Sequence, residues 1–182
     1  MRPGKAASTP PIWLLGSSDY SARLAAERGL PYVFAHHFSG QGTAEALELY
    51  RSTYRPSERF PEPRTFLTVN ACVARTEEEA VRLVRPQVLQ MLAIVTGGTL
   101  TPQALGEEAA KVELDAGQQR IADGMMNRWV IGDPESSRRR IAELAARFGV
   151  DEVMVHPVAG SYAGTPAAAT PAREETLRLL VG

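Results

Sequence analysis

Pro11-Ile12-Trp13-Leu14-Leu15-Gly16-Ser17-Ser18-Asp19-Tyr20-Ser21-Ala22-Arg23-Leu24-Ala25-Ala26 passes from an apolar run through a Gly-Ser-Ser turn straight into a helical pattern. A glycine at the end of a strand lets the backbone approach a ligand. The helix that follows offers unpaired N–H groups and the positive end of its dipole. The hydroxyls of Ser17, Ser18 and Ser21 stand beside that helix start. Two readings are open on these residues alone: a site for a phosphate-like anion, or a helix capped by Ser17 or Ser18.

The same alternation repeats downstream. Tyr32-Val33-Phe34-Ala35 is apolar on both faces and predicts a buried strand. Leu47, Tyr50 and Tyr54 share one face of a helix predicted over 43–54, and Pro56 stops it. A third strand is predicted over Phe66–Ala74. Thr76-Glu77-Glu78-Glu79 then has capping-box spacing at the head of a helix whose stripe runs from Ala80 to Val95, with a kink expected at Pro86. Residues 97–128 read as an insertion with a weak helical pattern. Asp133-Pro134 starts a further helix closed by Gly149, Asp151–Val155 is the fourth predicted strand, and a last helix carries Leu177, Leu180 and Val181.

Strands alternating with helices make a parallel sheet with right-handed crossovers. Four such units fit either an open doubly wound sheet or half of a (β/α)8 barrel. A whole barrel takes about 250 residues, and this chain has 182.

Composition narrows the function classes. A net charge of −1 leaves no electrostatic footprint for nucleic acid or an anionic membrane. The single cysteine, Cys72, lies in an apolar run and reads as a small buried hydrophobe, which fits a reducing compartment. No run reaches the roughly 18 apolar residues of a membrane span. The expectation is a cytoplasmic protein with a flexible leader over 1–10. No metal site is expected, because no carboxylate or cysteine stands at ligand spacing from His36 and His37.

Residues Leu15 to Phe38, from the Ser-Ser turn through Ala25-Ala26 to Gly29-Leu30-Pro31 and His36-His37-Phe38, resemble the middle of a bacterial-luciferase-like flavin monooxygenase. Leu67–Ala74, Val130-Ile131-Gly132-Asp133-Pro134-Glu135 and Asp151–Val155 resemble later segments of that family, so the likeness covers about residues 11–182. It implies a partial (β/α)8 barrel, strands five to eight with an insertion before the last strand. It also implies reduced FMN as cofactor, with deazaflavin as the alternative, and an organic small molecule and oxygen as reactants. By the same likeness Ser17, Ser18 and Ser21 fall on the turn that holds the cofactor phosphate, and His36 falls beside the flavin ring. The family's phosphate-binding arginine and its reactive histidine lie in a first half that has no counterpart here. The chain is therefore expected to pair with an amino-terminal half or to form a homo-oligomer. A non-catalytic flavin- or phosphate-binding half-barrel module is the competing expectation, and a complete open-sheet α/β domain is a third.

Other residues are weaker candidates. His36 and His37 point to opposite faces of a strand, so at most one meets a cofactor. Asn70 interrupts an apolar strand and needs a partner, and His156 sits just past the fourth strand. Arg120, Met125 and Met126 lie in the insertion. Arg138-Arg139-Arg140 reads as a solvated helix face.

Overall fold

The computed structural model describes residues 10–182, so the expected leader lies outside the described residues except for Pro10. Strand β1 (Leu14–Gly16) pairs in parallel with β2 (Tyr32–Phe34), Leu14 opposite Tyr32 and Gly16 opposite Phe34. Strand β3 (Leu67–Val73) pairs in parallel with β5 (Val153–Pro157), Asn70 opposite His156. The Thr68 hydroxyl donates to the Phe34 carbonyl at 3.1 Å, which sets β2 beside β3. Strands β1 and β2 form one two-stranded parallel sheet, while β3 and β5 belong to a second, three-stranded one; among the described residues no strand pairing joins β2 to β3, so the single sheet expected from the sequence is divided in two.

A fifth strand was not expected. Strand β4 (Val130–Gly132) lies against the last residues of β3, Ala71–Val73, on the side away from β5. Its residues run directly into the Asp133 cap of the next helix, with no turn residues between to set them off as a strand.

Helices α1 (Asp19–Glu27), α2 (Thr43–Ser52) and α6 (Pro134–Phe148) cover one face of the strands. Leu67, Val69 and Ala71 of β3 pack there with Ala25, Leu47, Tyr50, Leu144 and Phe148. Helix α6 starts as its sequence requires: the Asp133 carboxylate accepts from the N–H groups of Glu135 and Ser136, and Gly149 ends the helix at φ 60°. Helix α3 (Glu77–Val95) has its N-terminus held by Thr76, which accepts from the Glu79 N–H, and it runs unbroken through Pro86. Gly160 packs against that proline, where a Cβ would lie 2.6 Å from Pro86 Cγ, and donates to the Leu83 carbonyl.

The stretch read as an insertion is largely helical. It holds α4 (Gly106–Ala109) and α5 (Ala116–Met126), the latter capped by Asp115 with Gln118 returning the bond. With α3, helix α5 forms a second core around Cys72, Val88, Met91, Met125 and Trp129. Cys72 is fully buried, and burial pushes its thiol up to about 12, which makes it inert as a nucleophile. Helix α7 (Pro171–Val181) docks on β3, its Thr176 hydroxyl accepting from the Val73 N–H.

The opposite face of the strands is open at its edges. Leu15 is 61% exposed and Met154 45%. Among the described residues no helix is long and apolar enough to cross a membrane.

Candidate functional site

The turn after β1 is shaped by Gly16. A Cβ there would lie 2.1 Å from Ser21 Oγ, so only glycine lets the first turn of α1 fold back onto the strand end. The Ser21 hydroxyl donates to the Ser18 carbonyl at 2.7 Å and lies 3.3 Å from the Tyr32 hydroxyl. Ser18 takes the cap position in extended conformation, yet its hydroxyl makes no cap bond. The side chains of Ser17 and Ser18 are exposed and make no hydrogen bond within the described residues. The helix start thus keeps both its N–H groups and two hydroxyls for an outside acceptor.

The two adjacent histidines diverge as strand alternation requires. His36 is 6% exposed, with Nδ1 2.8 Å from Thr43 Oγ1 and its ring edge-on to Phe148 at 5.2 Å. That side chain sits within the helix layer. Burial, reinforced by the nearby Arg128 and Arg147 guanidinium groups, holds its pKa down to about 4. An unfolded histidine protonates near 6.5, so between pH 6.5 and 4 the unfolded chain binds the extra proton. The His36 contribution is fully present above pH 6.5 and is lost as pH falls toward 4, about 2 kcal/mol after allowance for screening. Urea unfolding at pH 7 and pH 4.5 should show this loss, and His36→Gln should flatten it. An unchanged slope in the variant refutes the assignment.

His37 turns to the open face and joins a polar cluster there. The single Thr68 hydroxyl proton goes to the Phe34 carbonyl, so the 2.8 Å contact between Thr68 Oγ1 and His37 Nδ1 must be donated by the histidine. Asn70 is 2% exposed and donates through Nδ2 to the His37 carbonyl at 2.7 Å. Its Oδ1 then faces His156 Nδ1 at 2.9 Å and can only accept. Both imidazoles are thereby held as the Nδ1–H tautomer with a bare Nε2, assigned from the bonding network. Their rings stand edge-to-face, 6.0 Å apart. Both pKa values are lowered, that of His37 by burial and then His156, that of His156 by burial and then Arg173. This pair of neutral acceptors is what the sequence reading missed. Asn70, as an unexplained polar residue in an apolar strand, and His156, at the end of the fourth predicted strand, were its separate signals, but not their pairing.

Ser17 also opens into a cavity of about 430 Å³ whose walls include Phe38, Met125 and Arg128. Met126 instead lines a separate cavity between α3 and α5. Arg139 and Arg140 pair with Glu135 and Glu143 on the exposed face of α6, as a solvated surface does. Among the described residues no group of three or more potential metal ligands is present.

The chain and its fold have counterparts in known proteins. A family model described as luciferase-like monooxygenase matches residues 1–152. The uncharacterized protein YvbT of Bacillus subtilis is 35% identical over 148 residues, which are 80% of this chain and 43% of that protein. A luciferase-like monooxygenase of Escherichia coli (strain K12) is 33% identical over 150 residues, again 80% of this chain and 43% of the relative. The crystal structure of apo-MsnO8 superposes with a TM-score of 0.74 at 27% identity, over 97% of this chain and 52% of that one. The oxygenating constituent of 3,6-diketocamphane monooxygenase from Pseudomonas putida, solved with FMN, shares the fold at a TM-score of 0.55 and 18% identity, over 94% of this chain and 47% of that one. The chain spans less than half the length of the curated relatives it matches.

Proposed function

Because the chain belongs to the luciferase-like monooxygenase family, we propose that it forms the flavin-phosphate half of an FMN-dependent monooxygenase barrel, strands five to eight of eight. The observation that carries this reading is the Gly16-Ser17-Ser18 turn, whose exposed hydroxyls and helix N–H groups have no acceptor within the described chain. Ser17 and Ser18 hold the FMN phosphate there, and Ser21 fixes the turn. The exposed Leu15 and Met154 support cover by further strands, from an amino-terminal half or a second copy.

Reduced FMN, when bound, supplies the electrons for activating oxygen, and an organic small molecule receives one oxygen atom. The protein binds, orients and excludes water. His36, locked between Thr43 and Phe148, fixes the end of β2. The role beside the flavin ring passes to its neighbour: His37 and His156 present bare Nε2 acceptors that can take a hydrogen bond or a proton on the open face. Deazaflavin is the alternative cofactor, and its phosphate-bearing tail would use the same serines.

Anaerobic titration with reduced FMN tests the binding. The expected result is saturable uptake and, once air is admitted, oxygen consumption that depends on an added amino-terminal half or on self-assembly. Absence of flavin binding in every assembly state contradicts the proposal.

A further inference from the structure

The cavity reached from Ser17 is not accounted for by a phosphate turn. One wall is apolar, made by Val95 at the end of α3, Ile121 and Met125 of α5, and Phe38 after β2. The other chemistry in it is a cation. Arg128, on the link from α5 to β4, uses one of the five N–H donors a guanidinium carries, bonding through Nη1 to the Gly124 carbonyl. It forms no ion pair among the described residues. Its stem is seated over Gly40, which has φ +66° and where a Cβ would come within 2.6 Å of Arg128 Cδ. A held cation without a counter-ion, set in an apolar recess, is complementary to an organic acid.

Resting on the flavin reading above, we infer that this cavity is the substrate site and takes a small carboxylic acid, its carboxylate on Arg128 and its hydrocarbon body against Met125, Ile121, Val95 and Phe38. A volume of about 430 Å³ lies within the roughly 300–1,000 Å³ of ordinary ligand pockets. Ser17 belongs to both sites, so the acid lies next to the cofactor phosphate turn rather than in it.

The test titrates the full chain with hexanoate and with its uncharged analogue hexanamide, followed by isothermal titration calorimetry, and measures FMN affinity in parallel. Hexanoate should half-saturate at a concentration at least about tenfold below that of hexanamide, the scale of a charge-assisted bond. Arg128→Gln should erase that difference and leave FMN affinity within about twofold, while Arg128→Lys should retain part of it. Gly40→Ala, which keeps every charge but displaces the guanidinium stem, should act like Arg128→Gln. Equal binding of acid and amide overturns the inference. A variant that loses FMN affinity while hexanoate discrimination persists also overturns it and reassigns the guanidinium to the phosphate. Hexanoate discrimination in a chain that binds no FMN sinks the flavin reading and leaves this one standing.

Discussion

Alanine at position 16 is expected to lower FMN affinity about 30-fold, the share the phosphate turn contributes, while leaving a folded chain. The added methyl would lie 2.1 Å from Ser21 Oγ and 2.4 Å from Ser21 Cβ, well inside van der Waals contact. Side-chain rotation cannot clear a contact with a Cβ, so α1 must move away from the end of β1. That movement carries the helix N–H groups and serine hydroxyls off the phosphate, and the overpacking itself costs about 1–3 kcal/mol of stability. Gly16→Ala combined with Ser21→Gly removes the clash and should recover the stability. If Gly16→Ala alone binds FMN as tightly as the parent chain, the close approach of helix to strand end has no bearing on the cofactor.

Asn70→Leu should cost about 2–3 kcal/mol and release the His156 imidazole. Leucine fills the same fully buried position in β3 but leaves the His37 carbonyl and His156 Nδ1 without partners. Nitrogen-15 NMR of the imidazoles should report Nδ1–H for His37 and His156 in the parent. In Asn70→Leu, His156 should shift toward the Nε2–H form that free histidine prefers, while His37 keeps its bond to Thr68. Asn70→Asp places a carboxylate against His156 and should raise its pKa, reversing the present lowering. An unchanged His156 tautomer in Asn70→Leu refutes the network.

Much of this fold was legible because local chemistry and tertiary structure agree. Thr76 and Asp133 cap helices where their spacing placed them, and the apolar runs at 32–35 and 66–74 contain the expected strands. Strand β4 and helix α5 were harder for physical reasons. The strand abuts the Asp133 cap with no turn residues between, and α5 carries Gly117 and Gly124 and buries only Ala122 and Met125, so its stripe is faint. The Gly-Ser-Ser turn was readable as chemistry, whereas its freedom from self-capping is a matter of side-chain rotation that no spacing encodes. The histidine pair shows the same limit. Alternation says that His36 and His37 diverge, but the choice between faces depends on Thr43, Phe148 and Thr68, which are 7, 112 and 31 residues distant from their respective histidines.

The most direct measurement compares FMN with riboflavin, which lacks the phosphate, by quenching of flavin fluorescence on the full chain. FMN should bind at least about 30-fold more tightly, near 2 kcal/mol, and Ser17→Ala/Ser18→Ala should remove most of that advantage while the helix N–H groups keep the remainder. Equal affinity for the two flavins in the parent chain would contradict the phosphate reading of the turn.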